Sequence, residues 1–162
     1  MRFLVDCFPL IVSVSGPAWD AAEVRALTDG FEPYFQGADR YVVLSVPTPK
    51  APAPGHAERK MLGEWTNHPR VREAIKRLCV GAATVVPGAV ERAALSIIYA
   101  FGKPPCPSEA VSTAERGLDF VLQRVREEGL RLPKSPDMVR YETLRALSEL
   151  FGQGSTRAGK PL

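Results

Sequence analysis

The chain has 162 residues, 45% of them apolar and 24% charged, with a formal net charge of +3. That length suits one domain with a sizeable core, and the composition is that of an ordinary globular protein. The charge is too weak for a nucleic-acid binder, and Lys and Arg alternate with Glu along the helices. No run approaches the roughly 18 consecutive apolar residues of a membrane span.

Asp6 and Pro9 interrupt the N-terminal apolar run, which therefore does not read as a signal peptide. Cys7, Cys79 and Cys106 show no CxxC spacing, and His56 and His68 are far from all three. They read as free thiols in a reducing cytoplasm, and no metal site or cofactor is expected.

Residues 2–8 read as a strand broken at Pro9. Residues 10–15 (LIVSVS) read as its hairpin partner, with the first strand at an edge. A helix follows over about 19–34, with Val24, Leu27, Phe31 and Tyr34 or Phe35 at helical spacing and Asp20 and Glu23 in its first turn. Residues 41–46 (YVVLSV) are apolar on both faces apart from Ser45, which places this strand centrally. The segment 47–55 (PTPKAPAPG) carries four prolines and forms an extended loop. It leaves the carboxyl end of a central strand, where open α/β sheets bind ligands.

Residues 56–78 are helical in two pieces divided at Pro69. The most apolar stretch, 81–101 (GAATVVPGAVERAALSIIYAF), is a buried strand turning at Pro87-Gly88 into a helix. Val90, Ala94, Ile97, Ile98 and Phe101 share one face of that helix and are expected in the core. Residues 109–112 form a weak strand at the other edge. Thr113 caps a helix over 114–128 that buries Leu118, Val121, Leu122 and Val125, and Gly129 closes it. Ser135-Pro136 opens a last helix, about 137–151.

This order predicts an α/β fold: a mostly parallel, mixed sheet of four or five strands, opened by an N-terminal hairpin and joined by crossover helices. Residues 1–129 form that domain. Residues 130–152 are a linker and an extra C-terminal amphipathic helix, and 153–162 a disordered tail.

No GxSxG, GxxxxGK[ST], GxGxxG or HExxH phrase occurs. No catalytic residue is assigned, and the chain does not read as an enzyme. Cys79 reads as a small buried hydrophobe. Cys106, in a proline loop, is the thiol most open to oxidation but has no evident base. Arg70, Arg72, Lys76 and Arg77, joined by Arg92 and Lys103, are the candidates for an anion or an acidic partner, with a solvated surface as the plain alternative. The stripe Met138, Tyr141, Leu144, Leu147 and Phe151 on the last helix must be covered, by its own domain, by a second copy or by another protein.

The phrases LIVSVSGPAWDAAEVRAL, RYVVLSV, RKMLGEWTNHP, GAATVVPGAVERAALSIIYAFGKPPCP and TAERGLDFVLQRV together resemble bacterial STAS-like domains, over roughly residues 3–126. The resemblance implies the fold of the anti-sigma-factor antagonists, related to that of CRAL-TRIO lipid-transfer proteins. It also implies a non-enzymatic regulatory module of signal transduction that works through protein–protein interaction. In antagonist-type domains a phosphorylatable Ser sits where the third strand passes into the next helix. Ser45 and Thr48 are the hydroxyls in that region here, and the usual preceding Asp is missing. The lipid-transfer relatives imply an alternative, a binding module for a small apolar or amphiphilic ligand. Trp65, Tyr99 and Phe101 would then line a pocket, with Arg92 near its mouth.

Overall fold

Strand alternation builds the centre of the molecule. Five strands, β1 (Arg2–Leu4), β2 (Leu10–Val14), β3 (Tyr41–Val46), β4 (Cys79–Val85) and β5 (Ser108–Val111), form one sheet in the order β1-β2-β3-β4-β5. The structure, a computed structural model, describes residues 1–49 and 51–153. β1 runs antiparallel to β2 at the edge, and the other pairs are parallel. The expected α/β fold with its opening hairpin is therefore present. β1 is shorter than its apolar run, because a turn takes up the residues before Pro9. The Phe8 N–H donates to the Val5 carbonyl at 2.9 Å, and the Leu10 N–H to the Cys7 carbonyl at 3.0 Å.

Six helices cover the sheet: α1 (Ala21–Gln36), α2 (His56–Asn67), α3 (Pro69–Leu78), α4 (Ala89–Gly102), α5 (Ala114–Glu127) and α6 (Pro136–Gln153). The parallel strands step one way across the sheet, so right-handed crossovers put α1 to α4 on one face. α5 and α6 return over the other. The period of two sorts the side chains accordingly. Leu10, Val12, Val42, Leu44, Val80 and Ala83 meet Leu118, Val121 and Val125 of α5. Ile11, Tyr41, Val43 and Cys79 meet Phe31 and Phe35 of α1 and Val71, Ala74 and Leu78 of α3.

Local signals set most helix ends. The Asp20 carboxylate accepts from the Glu23 N–H at 2.8 Å, and the Thr113 hydroxyl accepts from the Arg116 N–H at 3.3 Å. Gly129, with φ +66°, closes the turn after α5, a conformation that L side chains rarely adopt. Pro33 does not end α1, which continues to Gln36. Phe35, beyond it, stacks on Phe31 and packs against Trp65. That anchoring outweighs the one backbone hydrogen bond proline removes.

α6 covers part of its expected stripe on its own domain, turned so that Val139 and Thr143 replace Met138 and Tyr141. Val139, Thr143 and Leu147 are buried, and Leu144, Leu150 and Phe151 pack partly buried on the same core as α5. Leu144, Leu147 and Phe151 are therefore not free for a partner, whereas Met138 and Tyr141 point to solvent. The buried positions recur every four residues and follow a helix that lies along α5. The tail, residues 154–162, lies outside the described residues.

Surface ion pairs tie the layers together. Arg124 donates to the Val80 carbonyl at 2.9 Å and pairs with Glu127 at 2.6 Å and Glu128 at 2.8 Å. Glu128 also meets Arg40, and Glu32 meets Arg70. Hydrogen bonds from Arg40 to Glu128, from Gln123 to Glu127 and from Arg70 to Glu32 hold all three carboxyls below the ordinary value of 4.5. A carboxyl with a lower pKa in the fold than in the unfolded chain stabilises the fold above the unfolded value. It loses that contribution as pH falls through the folded one. The urea midpoint is expected to hold from neutral pH to about 4.5 and then decline. The decline is modest, since these groups face solvent. An unchanged midpoint at pH 3 would show that the pairs contribute nothing.

Candidate functional site

α4 is the least covered element. It reads AVERAALSIIYAFG, with no charge after Arg92. Among its described side chains Arg92, Leu95 and Tyr99, at helical spacing, are the half-buried ones. The Tyr99 hydroxyl lies 3.2 Å from Thr84 Oγ1 on β4, so this side faces the sheet. The opposite side carries Val90 at 80% exposure, Ile97 at 59% and Ile98 at 61%. The face expected in the core is thus the solvent face. A helix apolar all round offers two candidate core faces, and packing selects one. The side chain of Phe101 lies outside the described residues.

The basic residues divide into three groups. Arg70 is bound bidentately to Glu32, at 2.5 and 3.0 Å. Arg72 donates to the Lys103 carbonyl at 3.0 Å, and Arg72, Lys76 and Lys103 line a cleft of about 490 Å³ with Glu73, Pro104 and Pro105. Arg92 sits at the other end of α4, about 16 Å from Lys103 along the helix at ~1.5 Å per residue. There it donates to the carbonyls of Val86 at 2.8 Å and Pro87 at 3.0 Å. Only Arg72, Lys76 and Lys103 of the expected cluster therefore converge. Arg77 is exposed and does not line the cleft.

A row of hydroxyls crosses the carboxyl ends of the parallel strands. Register sets Ser13 beside Ser45 and Ser45 beside Thr84. The Ser13 and Ser45 hydroxyls hydrogen-bond at 3.0 Å, and Tyr99 extends the row from Thr84. The Thr48 hydroxyl donates to the Ser15 carbonyl, and its N–H donates to Ser15 Oγ at 3.4 Å. Phosphorylation of Ser45 or Thr48 would first have to break these bonds. Aligning the ends LIVSV, YVVLSV and AATV shows a hydroxyl one residue before each last strand position. That signal appears only once the strands are known to be neighbours.

Trp65 does not open onto a ligand cavity with Tyr99. Its ring packs 6.2 Å from Phe31 and 5.8 Å from Phe35, centroid to centroid, between α1 and α2. All three cysteines are free and buried. This includes Cys106, whose proline loop folds inward and does not present it to solvent. No group of three or more His, Cys, Asp or Glu that could hold a metal occurs among the described residues. No helix among them is long and apolar enough to cross a membrane. No family model, curated protein or solved structure matches the chain.

Proposed function

We propose that the protein is a non-enzymatic regulatory or assembly module of the bacterial cytoplasm, acting through protein–protein contacts on a STAS-like scaffold. Its contact surface is the outer face of α4, and its partner is a second copy of the chain. The observation that carries this reading is the exposure of Val90, Ile97 and Ile98 on a helix face whose one charge is Glu91, in the first turn. Contiguous apolar surface of this kind marks an interaction site in a globular protein. Without charge between Ala93 and Gly102, two antiparallel α4 helices meet across a two-fold axis with their Glu91 carboxylates at opposite ends of the contact. The three free thiols support a reducing compartment.

Light scattering after size exclusion, across a concentration series, tests the contact. The full chain is expected to be a dimer. The double variant Ile97→Glu/Ile98→Glu is expected to be a folded monomer, with dissociation weakened at least about a hundredfold. Each unpaired polar group buried in the interface costs about 1–3 kcal/mol, and 1.4 kcal/mol is tenfold. A wild-type chain that remains monomeric at every concentration rejects the self-contact. It would move the reading to a small anionic ligand, which the convergence of Arg72, Lys76 and Lys103 on one cleft favours.

A further inference from the structure

Two of the three thiols lie together. Cys79 opens β4, and Cys106 stands two residues before β5, the parallel neighbour of β4. The ladder pairs Ala82 with Ser108. Counting back evenly from that pair would set Cys79 against Pro105. However, Tyr41 faces Cys79 while Val42 faces Gly81, so a bulge takes up one residue of β4 at Val80. The bulge brings Cys79 level with Cys106. Both side chains belong to the same buried cluster, at 5% and 8% exposure. Neighbouring strands lie ~4.8 Å apart, and a disulfide spans Cα atoms ~4.4–6.8 Å apart.

We propose that Cys79 and Cys106 form a redox site, in which a small hydroperoxide oxidises the pair to an intramolecular disulfide. Cys106 is the attacking thiol and Cys79 the resolving one. The Cys106 sulfur attacks one peroxide oxygen and the O–O bond breaks. This leaves a sulfenic acid on Cys106 and hydroxide, which takes up the Cys106 proton as water. Cys79 then loses its proton and attacks the sulfenic sulfur. The S–S bond forms, the S–O bond breaks, and hydroxide leaves with that proton as a second water. Two thiols lose two electrons and two protons, and hydrogen peroxide becomes two waters.

Position divides these roles: Cys106 follows directly on the cleft-lining Pro105, whereas Cys79 lies at the start of the interior strand β4. Each thiol is the neighbour that most perturbs the other, and the Cys79 S–H donates to the Gly81 carbonyl at 3.5 Å. The neighbouring Cys79 thiol lowers the pKa of Cys106 from its ordinary value. Ser108, whose Oγ lies 3.7 Å from Cys106 Sγ, and then Arg124 add to this against the effect of burial. Cys79 moves well upward and keeps its proton. Cys7, on the opposite face with Glu142 Oε2 at 3.9 Å, is pushed up by burial and then by that carboxylate. Access has a local route as well. Lys103, Pro104 and Pro105, immediately before Cys106 in sequence, line the basic cleft, and Cys106 itself lies beneath the surface at 8% exposure.

The test uses the native full chain. It is exposed to a slight excess of hydrogen peroxide, alkylated under unfolding conditions and digested with trypsin. Arg92 separates the two cysteines into different peptides. The expected product is one cross-linked peptide pair, two hydrogens lighter and restored by dithiothreitol, with Cys7 alkylated. Oxidation at Cys106 should run at least about tenfold faster than at Cys7, whose thiol is held protonated by burial and the Glu142 carboxylate. Cys79→Ser should stop at a sulfenic acid on Cys106 that dimedone traps, and Cys106→Ser should leave Cys79 unreacted. A protein with an unchanged circular dichroism spectrum and no link between residues 79 and 106 overturns the proposal. So does Cys7 reacting first. If either serine variant fails to fold, the cross-link map of the wild-type chain decides.

Discussion

Leu147→Glu is expected to abolish cooperative folding at room temperature, whereas Tyr141→Glu on the same helix leaves the urea midpoint unchanged. Leu147 is 3% exposed and sits in the core formed by the sheet and α5, while Tyr141 is 61% exposed. Losing a buried leucine side chain costs about 2–5 kcal/mol. Forcing a carboxyl into the vacated space adds desolvation, whether it stays charged or takes up a proton. The sum approaches the whole stability of a domain, about 5–15 kcal/mol. A chain ending at Gly129 should fail for the same reason, since Val139 and Leu147 go with it. Urea unfolding followed by circular dichroism checks both variants. A cooperative transition near the wild-type midpoint for Leu147→Glu would mean that α6 is not docked on this core.

Gly117→Val should be nearly as damaging. A Cβ added at Gly117 would lie 2.4 Å from Leu44 Cδ1, 3.4 Å from Val111 Cγ2 and 3.6 Å from Ala83 Cβ. Leu44 is fully buried in β3, so it cannot swing into solvent. α5 must rise off the sheet or Leu44 must leave its rotamer. Overpacking of this kind costs about 1–3 kcal/mol for a methyl group. Valine adds two more carbons and a restricted χ1 in a helix. Gly117→Ala gains up to about 1 kcal/mol of helix propensity against the clash, and should be only mildly destabilising. Thermal melts of the two variants should therefore rank wild type, alanine, valine. A valine variant as stable as wild type would show that α5 does not approach β3 this closely.

Periodicity made the sheet legible and left the outer layer ambiguous. YVVLSV reads as a central strand because both of its faces are apolar, and both are buried between α1, α3 and α5. The break at His68-Pro69, the Thr113 cap and the Gly129 stop are stereochemical signals, and each acts where it stands. α4 faces the opposite way from its expected orientation, because after Arg92 the segment is apolar on every side. Its inward face was chosen by Tyr99 meeting Thr84, a contact between residues 15 positions apart. On α6, five large apolar residues suggested one stripe. Packing on α5 kept Leu144, Leu147 and Phe151, the domain's own cover for that stripe, but left Met138 and Tyr141 outside and brought in Val139 and Thr143. The pairing of Cys79 with Cys106 was equally hidden, because it depends on a one-residue bulge and on which strands are neighbours.

The stepwise strand order also says something about how the chain comes together. Every strand pairs with its predecessor in sequence, so each crossover can close onto an edge that already exists. No strand must be inserted between two others, which keeps loop closures short and favours growth from the N-terminal hairpin. The opposite face behaves differently. Leu10, Val12, Val42 and Leu44 have no cover until residues 114–153 have emerged and folded back as α5 and α6. During synthesis the nascent sheet therefore carries one finished side and one bare apolar side. That half-built state is where aggregation competes with folding, and where a holding chaperone would act.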